Sequence, residues 1–338
     1  MPDTPSDPAA SAPAGPVVVT GCSGFIGANL AAGLRARGAR VVGVESPSGI
    51  DWRTRSLPGL EVVRLDLTRE ADVRAFVRDL RPTAIFNCAA YGAYSVQTDA
   101  RRIYDVNLLG VRHLLDAARE LPGLRAFVQA GSSSEYGFNC TAPAEDAPTW
   151  PDSDYAVSKV AATNLVRFYA RKHGVPAFVL RLYSVYGPYE DMSRLVPVLL
   201  LAARERRLPP LASPDISRDF VYVGDVARAF DTIVARAPQL ERGGVFNIGT
   251  GVRTTLVDLT ALARDMFDIS ALPVWQSMPD RRWDHAAWYA DARKADTVLG
   301  WRATTSLREG LAATMRWLDD NPAVVDEARR LTVTAVAR

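Results

Sequence analysis

Val17-Val18-Val19-Thr20 runs directly into Gly21-Cys-Ser-Gly24-Phe-Ile-Gly27, and a helical stretch follows to about Gly38. That junction constrains the fold more than any other part of the chain. Four β-branched residues in a row predict a strand buried on both faces. Gly21 permits a tight turn, and Gly24 lets main-chain N–H groups approach an anion at the positive end of the helix. Gly27 lets the helix pack closely on the sheet. A bare Gly-x-x-Gly-x-x-Gly carries little, because glycine clusters occur in ordinary loops. Set between a buried strand and a helix, it predicts a turn that binds the pyrophosphate of a dinucleotide.

The same alternation continues downstream. Val41–Val44, Leu60–Leu65, Ala84–Cys88, Ala126–Ala130 and Ala177–Leu182 read as further strands. Residues 70–80 read as a helix, with apolar positions at Val73, Phe76, Val77 and Leu80, as do 101–121 and 154–174. Repeated strand–helix units predict an α/β fold, a doubly wound parallel sheet covered on both faces. We read 16–183 as the dinucleotide-binding domain. Residues 184–320 read mainly as a smaller substrate-binding lobe over the carboxyl ends of the strands, with some segments returning to the first domain. Residues 1–15, rich in Pro, Ala, Ser and Asp, read as a disordered leader. Residues 321–338 are a tail or a short helix.

Composition narrows the partners. The net charge of +2 and the scatter of Arg among Asp and Glu predict neither nucleic-acid nor membrane binding. No apolar run is long enough to span a bilayer, and the amino terminus lacks a signal pattern. Cys22, Cys88 and Cys140 are odd in number and widely spaced, which argues against a disulfide framework and against a metal site. The expected compartment is a reducing cytoplasm.

Glu45 closes the second strand near the distance expected for an acid that accepts hydrogen bonds from the adenosine ribose. It would repel a 2′-phosphate and so leans toward NAD. Arg53 and Arg55 could reach such a phosphate, which keeps NADP open. Asp66 is placed to touch the adenine or to cap the next segment. Tyr155-Ala-Val-Ser-Lys159 puts a phenol and an ammonium on one helix face. A free Tyr, with a pKa of about 10, is a poor base at neutral pH, and a neighbouring ammonium stabilises its phenolate. Ser132, in the Ser132–Ser134 run after the fifth strand, can hydrogen-bond a reacting sugar oxygen and share its proton with Tyr155.

These motifs, in this order, resemble the NAD-dependent epimerase/dehydratase family, the extended short-chain dehydrogenases acting on nucleotide-sugars. Also matching are Asn87-Cys-Ala-Ala90, Tyr136-Gly137, Arg181-Leu-Tyr-Ser-Val-Tyr-Gly187-Pro188, Arg218-Asp219-Phe220-Val-Tyr-Val-Gly-Asp225 and Asn247-Ile-Gly-Thr-Gly251. The resemblance covers about residues 16–320. It implies a Rossmann-type amino-terminal domain and hydride transfer at a sugar carbon, commonly C4. It implies Ser132, Tyr155 and Lys159 as catalytic residues. Cofactor contacts are implied at Gly21, Gly24, Phe25, Ile26, Gly27, Glu45, Asp66, Leu67, Ala89, Tyr155 and Lys159. Substrate contacts are implied at Tyr94, Ser133, Ser184 and Arg218, with Asn107 beside the catalytic centre. The partner implied is a nucleotide-diphosphate sugar, and the assembly a homodimer formed through helices 101–121 and 155–173. Leu108, Val111, Leu114 and Leu115 on the first helix could serve that interface or the core.

Two departures bear on the activity. The family's 4,6-dehydratases carry an acid pair just after the Ser/Thr, where this chain has Ser133 and Ser134; Glu135 comes one place later. Many of its epimerases have Asn at the position of Ser184. The leading expectation is a nucleotide-sugar 4-epimerase with tightly bound NAD. A 4-ketoreductase using NAD(P)H, a decarboxylase and a non-enzymatic dinucleotide sensor are the alternatives.

Overall fold

A computed structural model of the chain describes residues 15–94, 96–278 and 286–336. The leader reading, apart from Gly15, and residues 279–285 of the stretch read as substrate lobe lie outside the described residues. The strands are β1 (Val17–Thr20), β2 (Val41–Glu45), β3 (Glu61–Arg64), β4 (Ala84–Asn87), β5 (Ala126–Ser132), β6 (Ala177–Leu182), β7 (Ser184–Tyr186), β8 (Ser217–Arg218), β9 (Phe220–Tyr222), β10 (Val245–Ile248) and β11 (Thr254–Thr255). Seven of them form one sheet in the order β10-β6-β5-β4-β1-β2-β3. All its pairings are parallel, with Val17 opposite Val41 on one side and opposite Ala84 on the other. The order reverses between β1 and β4, so a crevice opens there above the strand ends.

Each inner strand is a near-continuous apolar run because helices cover both faces. The helices are α1 (Phe25–Ala36), α2 (Trp52–Arg55), α3 (Glu70–Leu80), α4 (Ala100–Tyr104), α5 (Gly110–Arg119), α6 (Asp154–His173), α7 (Leu195–Ala203), α8 (Val223–Arg236), α9 (Leu256–Phe267), α10 (Leu307–Asp320) and α11 (Pro322–Val336). On one face Leu30 and Leu34 of α1 pack with Phe230 and Ile233 of α8 against β1, β4 and β5. On the other, Val73 and Val77 of α3 and Val166 of α6 pack with Val111, Leu114 and Leu115 of α5. Those three α5 residues are at most 1% exposed, so they belong to the core of the subunit and are not at its surface. Burying each such side chain contributes roughly 1.5–3 kcal/mol. At the sheet's edge, β3 carries exposed Glu61 and Arg64, whose charge discourages pairing with another chain.

The stretch after Leu182 builds a third apolar cluster from α7, α9, α10 and α11. It also sends β10 back to pair with β6 and α8 back to cover the sheet. The last residues, left open by sequence between helix and tail, form α11. A further difference lies in the helix read at 101–121. Between α4 and α5, residues Asp105–Leu109 widen into a π-helical turn. Such turns carry an extra residue per turn and concentrate at functional sites.

Candidate active site

The glycine turn has the shape its sequence predicts. Gly21 sits at φ +66°, and a Cβ there would lie 2.7 Å from the Ala89 nitrogen. A Cβ on Gly27 would lie 2.3 Å from the Gly21 carbonyl oxygen. Both contacts are too close for any side chain, so strand, turn and helix can approach in this way only with glycine. Gly24 is the N-cap of α1; it has no side-chain capping bond, and no acid stands in the first turn. The first N–H groups of α1, at Phe25, Ile26 and Gly27, therefore head a helix end that suits a negatively charged group. This cradle fits the pyrophosphate of a dinucleotide. Beneath it, Cys22 is fully buried, and burial pushes its thiol up to about 12, so it serves as a small apolar residue.

At the end of β2, where an adenosine contact is expected, Glu45 is 4% exposed. Its carboxylate accepts from the Thr54 hydroxyl at 3.1 Å and from Arg64 Nε at 3.1 Å. Each carboxylate oxygen keeps a lone pair for a ribose hydroxyl. Asp66 accepts from the Thr68 amide at 2.9 Å and its hydroxyl at 2.8 Å, a local turn that holds the start of the next segment. The Leu67 carbonyl accepts from His113 Nδ1 at 2.9 Å, which ties the strand end to α5. Arg53 and Arg55 are engaged elsewhere. Arg53 donates to the Ser23 and Tyr189 carbonyls, and Arg55 pairs with Asp51 and Glu327.

The residues expected to be catalytic come from two elements. Ser132 ends β5, and Tyr155 and Lys159 lie on the first turns of α6. Lys159 is 4% exposed and donates to the Ala130 carbonyl, two residues before Ser132. That bond fixes α6 against the end of β5. The ammonium lies 6.0 Å from the centre of the Tyr155 ring. Asn107, from the π-helical turn, is 2% exposed; it accepts from the Tyr91 amide at 2.8 Å and donates to the Tyr91 carbonyl at 2.8 Å and the Ser158 hydroxyl at 2.9 Å. One side chain thus pins the loop after β4 to the catalytic helix.

Glu135 has a role that its position one place past the acid pair did not reveal. It is fully buried. Its carboxylate accepts from the Ser132 amide at 3.0 Å, the Thr163 hydroxyl at 2.8 Å and Arg181 Nε at 2.8 Å. Ser132 in turn accepts from the Ser134 amide at 3.1 Å, closing a capping box over the 3-10 turn Ser133–Tyr136. The signal was present: Ser-x-x-Glu is the sequence form of that box.

The residues expected to contact substrate come from separate short strands and turns. Tyr94, half-buried, lies beneath the Arg194 guanidinium at 4.8 Å. Arg194 also donates to the Ala93 carbonyl at 2.7 Å. Ser133 is 7% exposed and accepts from Trp288 Nε1 at 3.1 Å. Arg218 lies 5.5 Å over the Trp288 ring. Ser184 donates its amide to the Asp219 carbonyl at 3.0 Å, at the start of the β7–β9 pair. The Asp219 carboxylate, fully buried, accepts from the Thr250, Gly251 and Ala290 amides and shapes the loop beside Arg218. Glu190 is 8% exposed, its Oε2 has no hydrogen-bond partner, and burial pushes its pKa up to about 8. Sequence reasoning singled out neither Glu190 nor Asp219 for these roles. Among the described residues, no group of His, Cys, Asp and Glu could hold a metal ion.

A cleft that can cradle a dinucleotide and work a proton at its edge defines a class, the short-chain dehydrogenase type of enzyme. The family model described as NAD dependent epimerase/dehydratase matches residues 17–249, and the chain belongs to that family. It is similar to the UDP-glucose 4-epimerase of Mycolicibacterium smegmatis, 32% identical over 89% of this chain and 97% of that one. Among solved structures it is similar to UDP-glucose 4-epimerase of Thermotoga maritima with UDP-glucose. The TM-score is 0.80 and the identity 27%, over 91% of this chain and 99% of that one. It is also similar to UDP-glucuronic acid 4-epimerase of Bacillus cereus in complex with UDP-glucuronic acid and NAD. There the TM-score is 0.77 and the identity 26%, over 90% and 99% of the two chains.

Proposed function

We propose that the protein is a nucleotide-sugar 4-epimerase that keeps its NAD through the catalytic cycle. Bound NAD supplies a hydride acceptor that can return what it takes. Tyr155, with the Lys159 ammonium 6.0 Å from its ring centre, removes the proton from the C4 hydroxyl and returns a proton to the 4-keto sugar after that sugar has turned over. Ser132 hydrogen-bonds the C4 oxygen. Glu45 at the ribose hydroxyls favours NAD over NADP, with Asp66 and Leu67 at the adenine and Ala89 against the glycine turn. Arg218 holds the nucleotide diphosphate, and Tyr94, Ser133 and Ser184 line the sugar's side.

The observation that carries epimerisation over dehydration is Glu135, held by Arg181, Thr163 and the Ser132 amide. A carboxylate so committed does not serve as the acid that removes water at C5/C6. The test has two parts. Denaturing the purified protein should release NAD, and incubating it with UDP-glucose should give UDP-galactose with no reductant added. Recovery of a protein that takes up NADPH and only reduces keto sugars would replace this reading with ketoreduction.

The remaining proposals are structural. Residues 16–183 act as the dinucleotide-binding domain and 184–320 mainly as the substrate lobe. Leu109, Val157 and Phe168 are 40–52% exposed on the two helical runs expected to pair, and we read them as the contact of a homodimer. Light scattering should give twice the chain's mass. Three unpaired thiols fit a reducing cytoplasm, and no described helix is long and apolar enough to cross a membrane.

A further inference from the structure

The short helix α2 touches both halves of the molecule. Trp52 follows β2 in sequence, yet it is 5% exposed within the apolar cluster of the carboxy-terminal lobe, with Met192, Val325 and Ala328. The Tyr189 ring lies 6.2 Å from it, and Trp317 of α10 lies 4.8 Å beyond Tyr189. Arg53 stacks on the Trp52 ring at 4.2 Å and is itself 7% exposed. Its Nη1 donates to the Ser23 carbonyl, inside the glycine turn, at 3.1 Å. Its Nε donates to the Tyr189 carbonyl, in the substrate lobe, at 2.7 Å. Thr54 holds Glu45 at 3.1 Å, and Arg55 pairs with Glu327 of α11. A second tie runs alongside, from Asn29 of α1 to the Pro188 carbonyl at 2.8 Å.

Burying a guanidinium is unfavourable, and an apolar side chain could fill the same space. What the planar fork adds is reach: two donors at fixed angles, here spent on one main-chain carbonyl from each half. We propose that Arg53, seated on Trp52 and backed by α11, is a positioning residue that clasps the glycine turn to the substrate lobe and thereby sets how long bound NAD stays. This rests on the reading that NAD occupies the glycine turn. An epimerase must keep one NAD from the outward hydride step to the return step, so a slow release is part of the activity. The Gly187–Arg194 segment and the cofactor turn then move as one body.

The test measures dinucleotide release from the purified full-length holoprotein, by chase with excess labelled NAD. The second readout is the rise in melting temperature that NAD produces over the cofactor-free protein. R53Q should release NAD about tenfold faster, the effect of losing one hydrogen bond to a charged donor, about 1.4 kcal/mol. R53K keeps the charge but presents no fork, and should release NAD nearly as fast as R53Q. W52L, which removes the stacking surface, should fall between R53Q and the wild type. In each variant the NAD-induced rise should shrink more than the cofactor-free melting temperature falls. Wild-type release from R53Q, or full rescue by R53K, would overturn the clasp. So would equal falls in melting temperature with and without NAD, which would mark a packing role alone. If R53Q fails to fold, R53K and W52L read the same quantities. A wild-type protein that holds and binds no NAD would sink the cofactor reading instead, a separate result.

Discussion

The proposed cofactor wall of the cleft rests on strand ends and helix starts, whereas the proposed substrate wall is drawn from short strands and turns far apart in the chain. Gly21 follows β1 directly, Glu45 closes β2 and Ala89 lies two residues past β4, so their places follow from strand register. Tyr94 lies under Arg194, Ser133 and Arg218 touch Trp288, and Ser184 bonds the Asp219 carbonyl, all contacts between stretches far apart in sequence. On the proposed reading, chemistry common to a whole fold sits on the rigid wall, and selection among substrates on the adjustable one.

The largest expected effect would break this comparison at the seam between the walls. Tyr155→Phe removes the proton-transfer group and should lower the turnover rate about 10²–10⁴-fold, with NAD content unchanged. Unaltered turnover would remove Tyr155 from the mechanism. Next, Glu135→Ala leaves Arg181 buried without its carboxylate, so the fold should lose about 3–5 kcal/mol in denaturant unfolding. A loss of activity at unchanged stability would instead give Glu135 a direct chemical role. Arg218→Ala should weaken nucleotide-sugar binding roughly 10–100-fold, corresponding to a charged hydrogen bond of about 1.5–3 kcal/mol. That loss should appear in KM more than in kcat, and an equal fall in NAD affinity would show that the two walls are not separable.

The smallest effect concerns Glu190. Burial pushes its pKa up to about 8 from an ordinary value of 4.5. Between those values the folded chain keeps a proton that the unfolded chain has lost, so this residue's contribution to stability falls as pH rises through the window. Glu190→Gln should gain melting temperature relative to the wild type between pH 6 and pH 9. A constant difference across that range would show that Glu190 ionises normally.

What was legible in the sequence divides along the same line. The strand, glycine turn and helix are contiguous, and their periodicity and glycine spacing state the geometry directly. The Tyr155/Lys159 pair was legible because four residues along a helix make one face. The partners of these groups were not. Nothing in the local pattern says that Lys159 meets the Ala130 carbonyl, or that Asn107 sits in a widened turn reaching Tyr91 and Ser158. Nor does the local sequence mark Trp52 and Arg53 as buried, because what buries them lies more than a hundred residues away, at Tyr189 and on α11. The apolar stripe of α5 was ambiguous between core and interface, since hydrophobic spacing marks a buried face without naming what buries it.

β10 has a consequence for how the chain can be divided. Val245–Ile248 is the outermost strand of the sheet, and it caps β6, a run of six residues that are buried throughout. A polypeptide ending at Tyr183 would contain the whole glycine turn and the Tyr155/Lys159 pair, yet it would leave the Ala177–Leu182 backbone open along one side. An apolar edge of that kind recruits other strands. Such a fragment should precipitate or self-associate instead of behaving as a free-standing nucleotide-binding unit. The later part of the gene product therefore completes the sheet of the earlier part.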